Sequence, residues 1–269
     1  MLRRLVPILC LVVLALPLRA QTVDALFDQL RLSEMIEVMR EEGLDYGREL
    51  GTDMFAGGSN PQWTAILDRI YDTGRMEALV RARFDASLTG TDIAPLSDFF
   101  TTETGQEIVA LELGARQAMI DSATEEAARQ TFRERENQDG TRMEQVTAFV
   151  EANDLIETNV AGALNASYRF YAGLVEGGGL EMSESEILAD VWSQEEDTRG
   201  DTREWLFAYL LMAYEPLSDD QMAAYLDLAR SPEGQALNRA LFDAFNRMYD
   251  DISYALGLAT AQQMQGQDL

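Results

Sequence analysis

Residues 217–248, LSDDQMAAYLDLARSPEGQALNRALFDAFNRM, predict two helices separated by a short break. Ser218 is a favourable N-cap, and Gln221 three positions later completes the pattern of a capping box. Ser231 can cap a second helix, and Pro232 suits its first position because proline lacks only an N–H that would stay unpaired there. The segment therefore predicts a helix-turn-helix hairpin.

A second copy of this pattern lies 129 residues earlier, at residues 88–119, LTGTDIAPLSDFFTTETGQEIVALELGARQAM. The two stretches align without a gap over 32 positions, and seven of these are identical. Gly105 and Gly234 occupy the same place, where the absence of a Cβ lets the second helix begin close to the first. We therefore predict an all-α, bundle-like protein of two similar helical halves, each built around a repeated helix-turn-helix hairpin.

The turn motif resembles that of a known family of secreted helical bacterial proteins. The residues that carry the resemblance are Ala229–Gln235, ARSPEGQ, with Phe99–Gln106, FFTTETGQ, as a degenerate second instance. Their pattern is similar to the Ser-Pro-x-Gly-Gln hairpin motif of the domain-of-unknown-function family two thousand and fifty-nine. The resemblance covers the last quarter of the chain and, more weakly, the middle. It implies an all-helical protein located in the cell envelope, and it implies no activity.

Residues 1–20, MLRRLVPILCLVVLALPLRA, have the features of a cleavable signal peptide. Two arginines precede an apolar core, residues 5–18, which is shorter than the roughly 18–20 residues that span a bilayer. We expect cleavage after Ala20, so that the mature chain begins at Gln21. The protein should then be soluble and periplasmic or secreted, without stable membrane insertion after the leader is removed.

The charge of the chain is strongly negative. All 21 basic residues are arginines, against 47 Asp and Glu, which gives a formal charge of −26. Residues 1–20 contain three of the arginines, so the mature chain would have 18 Arg against 47 acids, a charge of −29. Such a surface repels phosphate backbones, and we expect no binding to nucleic acid.

The residue types that are missing exclude several kinds of chemistry. The sequence has no histidine and no lysine, and its single cysteine, Cys10, lies within the leader. Ser-His-Asp and Cys-His catalysis, the usual zinc, haem and di-iron sites, Schiff-base chemistry and the P-loop are therefore excluded. We expect no cofactor, and we assign no catalytic, cofactor-binding or metal-ligating residue.

The break at Asp139-Gly140 is the boundary we predict between a first helical half, residues 21–138, and a second, residues 139–269. The two halves can pack as one domain. Residues 146–151, VTAFVE, faintly repeat residues 23–28, VDALFD. Within the halves, we expect Gly43, Gly47 and Gly51 to loosen the turns that follow the first helix, and residues 194–201 to form a solvated connector.

Two short stretches match known functional motifs, but each has a simpler explanation. Asp72-Thr73-Gly74 matches the aspartic-protease triplet, but those enzymes present it on β-structure; here we expect the end of a helix, with Gly74 as C-cap. Arg199-Gly200-Asp201 matches a cell-adhesion tripeptide, which is expected by chance in an acidic segment. Neither is assigned a function.

Carboxylate acid–base catalysis is the enzyme chemistry that the composition still permits. The first candidates lie near the hairpin turns, where acids also stabilise helix N-termini without any catalytic role. They are Glu103, Glu107, Asp219 and Asp220. A set of aromatic residues could line an apolar ligand pocket or could belong to the core. They are Trp63, Tyr168, Phe170, Tyr171, Trp192, Trp205, Phe207 and Tyr209.

Two functions therefore remain open. The first is a non-enzymatic binding or interaction protein of the bacterial envelope, whose partner is an unknown envelope protein or an apolar ligand. The alternative is a carboxylate-dependent hydrolase that acts on envelope glycans. A hydrolase of that kind needs two acids roughly 5–10 Å apart across a cleft, whereas a binding protein needs an apolar groove or patch.

Overall fold

A computed structural model describes residues 22–55, 57–138 and 140–266. The predicted signal peptide, residues 1–20, lies outside the described residues. Within them the chain forms thirteen α-helices and no strand, so the all-α prediction is confirmed. The helices are α1 Val23–Gln29, α2 Leu32–Met54, α3 Pro61–Ile70, α4 Thr73–Ser87, α5 Ala94–Phe100, α6 Glu103–Ala118, α7 Ser122–Arg135, α8 Thr141–Ala152, α9 Leu155–Glu176, α10 Glu184–Ser193, α11 Glu195–Tyr214, α12 Asp219–Arg230 and α13 Pro232–Gln265.

The turns α5–α6 and α12–α13 have the same capping contacts. The side chain of Ser231 accepts a hydrogen bond from the backbone N–H of Gly234 at 3.0 Å and donates one to the carbonyl of Leu228 at 2.7 Å. Thr102 makes the corresponding bonds at 3.0 and 2.7 Å, to Gly105 and Phe99. Each side chain therefore satisfies one free N–H of the second helix and one carbonyl of the first.

A glutamine beside each turn binds a third helix. Gln235 Nε2 donates to the carbonyl of Ala229, in the last turn of α12, and to that of Ala152, the last residue of α8. Gln106 Nε2 likewise donates to the carbonyl of Phe100 and to that of Gln29, the last residue of α1. These contacts place α8 beside the α12–α13 hairpin, and the equivalent contacts place α1 beside the α5–α6 hairpin. They support the proposal that the two halves arose by duplication.

The helix junctions after α1 and α8 also agree. Arg31 and Asp154 both adopt the left-handed conformation, with φ values of 52° and 50°, and each directly precedes the long helix α2 or α9. This conformation is uncommon for residues other than glycine. Its occurrence at both junctions adds support to the same proposal.

The described residues form two hydrophobic cores, and neither core belongs to one half alone. The first core is built from α1 to α5 together with α13, which contributes Leu237, Ala244, Met248, Ile252 and Leu256. The second core is built mainly from α8, α11 and α12 together with α6 and α7 of the first half. The last helices of the two halves thus also reach the other half: α13 packs along α9 of its own half and along α4 of the first half, and α6 and α7 pack along α11.

The expectation that glycines loosen the chain after the first helix is wrong. α2 runs without a break from Leu32 to Met54, and its glycines recur every four residues on one face. A Cβ on any of them would overlap a large side chain of the segment around α3, so the glycines let these helices approach closely. The pairs are Gly43 with Tyr71, Gly47 with Leu67, and Gly51 with Trp63.

Two other local expectations are also wrong. Asp72 does not end a helix; its carboxylate caps α4 by accepting from the backbone N–H of Arg75 at 2.9 Å, and Gly74 lies in the first turn. Most of residues 194–201 form the first turns of α11 instead of a connector. Glu195, Glu196 and Asp197 lie at the positive end of the helix dipole, which explains why an acidic run is helical there. None of the helices described combines the length and apolar character required to span a membrane.

Candidate functional site

The four candidate acids lie on exposed helix ends and do not form a buried pair. Glu103 is in the first turn of α6, and Asp219 and Asp220 are in the first turn of α12. Glu107 accepts a hydrogen bond from Gln221 Nε2 at 2.5 Å. Their positions match the structural role of acids at helix N-termini.

The candidate aromatic residues are distributed over different parts of the molecule and do not line one pocket. Trp63 is fully buried in the first core, and Phe207 is buried in the second, where it stacks on Phe132. Trp205 stacks on Tyr209 with ring centres 5.3 Å apart. Trp192, in contrast, is 66 % exposed on α10. Most of this set therefore serves packing.

Glu112 on α6 carries a carboxyl group that is held by tyrosine hydroxyls. Its Oε1 accepts from the hydroxyls of Tyr214, at 2.6 Å, and Tyr225, at 3.0 Å, while the Tyr209 hydroxyl donates to its backbone carbonyl at 3.1 Å. Burial raises the pKa of Glu112, and the two tyrosine hydrogen bonds oppose that rise without cancelling it. The carboxyl group thus joins α6 to α11 and α12, and its oxygen is occupied by protein donors.

A second polar group surrounds Arg116, one turn further along α6. Arg116 binds Glu42 through two hydrogen bonds, of 2.9 and 2.7 Å, and approaches the hydroxyl of Tyr249 at 3.3 Å. Arg116 and Glu42 border a cleft of about 360 Å³ that also contains Asp45 and Glu125.

Each of the three acids in this cleft has an arginine partner. Glu42 is held by Arg116, Glu125 by Arg129 at 2.8 Å, and Asp45 by Arg48. A glycan hydrolase requires one carboxyl group that gives a proton and one that attacks or activates water. Because these acids are neutralised by arginines, the cleft resembles a set of structural ion pairs more than a catalytic pair.

An apolar groove lies between α3 and α4 on one side and the C-terminal half of α13 on the other. It has a volume of about 510 Å³, within the roughly 300–1,000 Å³ typical of small-molecule sites. We refer to it as the α13 groove. Its apolar lining consists of Ile66, Ile70, Met76, Leu79, Met248, Ile252, Ala255, Leu258 and Ala259.

Charged residues lie at the rim of the α13 groove. Asp251 is paired with Arg247 on the same helix, at 2.9 Å. Arg69, at the end of α3, and Arg75, at the start of α4, have no carboxylate partner among the described residues. The rim of the groove therefore carries two arginines that form no ion pair with the residues described, in a strongly acidic protein.

The sequence did not reveal this groove because its walls come from opposite ends of the chain. Periodicity predicts that α3, α4 and α13 each have an apolar face, but it does not indicate which helices meet. One local signal was present: Arg75 stands in the first turn of α4, where a cation is unfavourable to the helix dipole.

Comparison with known proteins gives one match. Residues 74–134 match a family described as "Uncharacterized protein conserved in bacteria (DUF2059)". No curated protein and no solved structure matches. The matched segment contains the degenerate turn at Phe99–Gln106 and excludes Ala229–Gln235, although the latter carries the fuller motif. The family resemblance is thereby confirmed for one segment of the chain: residues 74–134 carry the DUF2059 pattern.

Proposed function

We propose that this chain is an exported, non-enzymatic binding protein of the bacterial envelope and that it holds an apolar ligand in the α13 groove. The observation that carries the proposal is the groove itself, which offers an apolar lining along three helices. Ile66, Ile70 and Leu79 remain partly exposed there although they pack against the first core. An apolar ligand would remove this surface from water, at a gain of roughly 25 cal/mol per Å² buried.

Export and envelope location are part of the same proposal. They rest on residues 1–20, with two arginines, an apolar run and Ala20 before the expected cleavage point. The acidic composition is compatible with a soluble protein outside the inner membrane. The glycan-hydrolase alternative has weaker support, because the candidate acids lie on exposed helix ends and those of the Arg116 cleft are paired with arginines.

Filling the groove tests the binding proposal. Ala255 lines the groove on α13 and is partly exposed, so phenylalanine can replace it with its ring in the groove instead of in the core. We expect the uncharged fluorescent probe N-phenyl-1-naphthylamine to bind the mature protein with increased emission, and Ala255→Phe to lose at least about nine-tenths of that signal.

The matched control is Ala127→Phe. Ala127 lines a second groove between α7 and α11, of about 550 Å³, and the substitution there should leave the probe signal unchanged. Equal thermal melts of the variants would show that the fold is intact. If the wild-type protein does not enhance the probe emission, or if Ala255→Phe binds as well as wild type, the α13 groove is not the binding site.

A further inference from the structure

The charge at the rim of the α13 groove identifies the chemical class of the ligand. Most arginines of the described residues lie within 4.0 Å of a carboxylate oxygen, as expected in a chain with 21 arginines and 47 acids. Five arginines of the described residues make no such contact: Arg69, Arg75, Arg169, Arg230 and Arg239. Arg69 and Arg75 line the same groove, and two guanidinium groups beside one apolar lining offer a site for an anionic head group.

Capping of α4 does not involve the Arg75 side chain. The carboxylate of Asp72 caps the helix by accepting from the backbone N–H of Arg75 at 2.9 Å. The Arg75 guanidinium forms no ion pair within the described part of the chain, and the residue is exposed at the groove. It is therefore available to an anionic ligand.

The second groove provides a comparison within the same molecule. It lies between α7 and α11, which pack together as α13 and α4 do, and it has a similar volume. Its arginine, Arg135, is paired with Glu215 at 3.1 Å. The second groove is lined mainly by alanines and threonines and its arginine is paired, whereas the α13 groove has larger aliphatic side chains and two arginines outside the ion pairs of the described residues.

We infer that the α13 groove binds a single-chain anionic amphiphile, with its hydrocarbon chain along Ile66, Ile70, Leu79 and Leu258 and its anionic head at Arg69 and Arg75. Guanidinium groups bind carboxylates and phosphates with paired hydrogen bonds, so either head group fits. The acid at the rim, Asp251, is paired with Arg247, so its negative charge does not cancel the attraction between the two arginines and an anionic head group. This inference rests on the proposed function and adds the charge of the ligand to it.

A competition experiment tests the charge of the ligand separately from the existence of the apolar binding site. N-phenyl-1-naphthylamine is bound to the mature protein and then displaced by tetradecanoate or by tetradecan-1-ol, each kept below the concentration at which it aggregates. We expect tetradecanoate to displace the probe at about a fivefold lower concentration, the size of effect that two exposed ion pairs provide. Added salt should reduce this preference because it screens exposed charges.

The double variant Arg69→Gln/Arg75→Gln should still bind the uncharged probe but should lose the preference for tetradecanoate. Arg135→Gln in the second groove is the matched control and should keep it. Equal displacement by the acid and the alcohol in wild type would overturn the inference while leaving the proposed apolar site intact. Loss of the preference in Arg135→Gln as well would overturn it too. Failure of wild type to bind the probe at all would instead refute the proposed function.

Discussion

Two glycines determine how closely the helices of each hairpin can approach. A Cβ at Gly234 would overlap the carbonyl oxygen of Leu228, and a Cβ at Gly105 would overlap that of Phe99. In both turns the obstacle is backbone of the preceding helix, which cannot rotate away as a side chain can. The two obstructing residues are also equivalent in the alignment of residues 88–119 with 217–248.

We expect Gly234→Ala to lower the free energy of unfolding by about 1–3 kcal/mol, the usual cost of overpacking, and Gly105→Ala to behave alike. Gly114 is the matched control, because it lies in α6 with open space around its Cβ position. Gly114→Ala should stabilise the protein by up to about 1 kcal/mol through helix propensity. Urea unfolding of the three variants measures these changes in the free energy of unfolding. If Gly234→Ala is as stable as wild type, Gly234 is not required for close packing of the two helices.

At this scale the sequence predicted caps well, because a cap depends on residues three positions apart. The predicted capping box at Ser218 is present, and Ser231 caps the second helix as predicted. Asp72-Thr73-Gly74 was interpreted wrongly, since a glycine after a helical pattern suggests a C-cap and an aspartate equally suggests an N-cap. Only the position of the next helix decides between them.

At the scale of helices, the Glu112 carboxyl group is the clearest link between elements. It joins α6 of the first half to α11 and α12 of the second through the hydroxyls of Tyr214 and Tyr225. Burial raises the pKa of Glu112 in the folded protein above its unfolded value. The stabilisation that this provides is fully present below the unfolded pKa and is lost as pH rises through the folded pKa.

Glu112→Gln should remove that loss, because glutamine keeps an oxygen acceptor for both tyrosines and carries no charge at any pH. We therefore expect the stability of Glu112→Gln relative to wild type to increase as pH rises from about 4 to about 8. Chemical unfolding across this pH range measures the trend; a difference for Glu112→Gln that falls or stays constant would contradict it.

Sequence reasoning recognised most helices but misjudged how some of them pack. Helix propensity disfavours glycine, so Gly43, Gly47 and Gly51 indicated loose turns. In the structure the same spacing leaves one face of α2 without side chains at these positions, so that α3 can pack closely against it. Trp63 joins the two helices by donating from Nε1 to the carbonyl of Gly47 at 2.7 Å. Contacts with another helix outweighed the local preference.

At the scale of the whole molecule, the position of α13 between the two halves creates the candidate site. α13 packs on α9 of its own half and also completes the first core, so that it faces α3 and α4 across the α13 groove. The repeat in the sequence could predict similar hairpins. It could not predict which helices of the other half the final helix of each half would contact. An apolar face satisfies the same pattern whichever partner covers it. For that reason the fold class was predictable and the site was not.

The proposed duplication also explains why the two grooves differ. The α7–α11 groove contains the Arg135–Glu215 pair, whereas the α13 groove has two arginines without acidic partners among the residues described. Copies of one helical unit are free to diverge in charge while the packing of their helices is kept. Under the proposed function, the α13 groove serves binding and the α7–α11 groove does not.

The central claim is that the α13 groove holds an anionic amphiphile, and native mass spectrometry of the protein purified from the envelope fraction tests it most directly. We predict a chain that begins at Gln21 and carries a bound small molecule, identified as an anionic amphiphile after release, with no such adduct on Ala255→Phe purified in parallel. A wild-type spectrum that contains the unliganded chain alone, or an adduct retained equally by Ala255→Phe, would contradict the account.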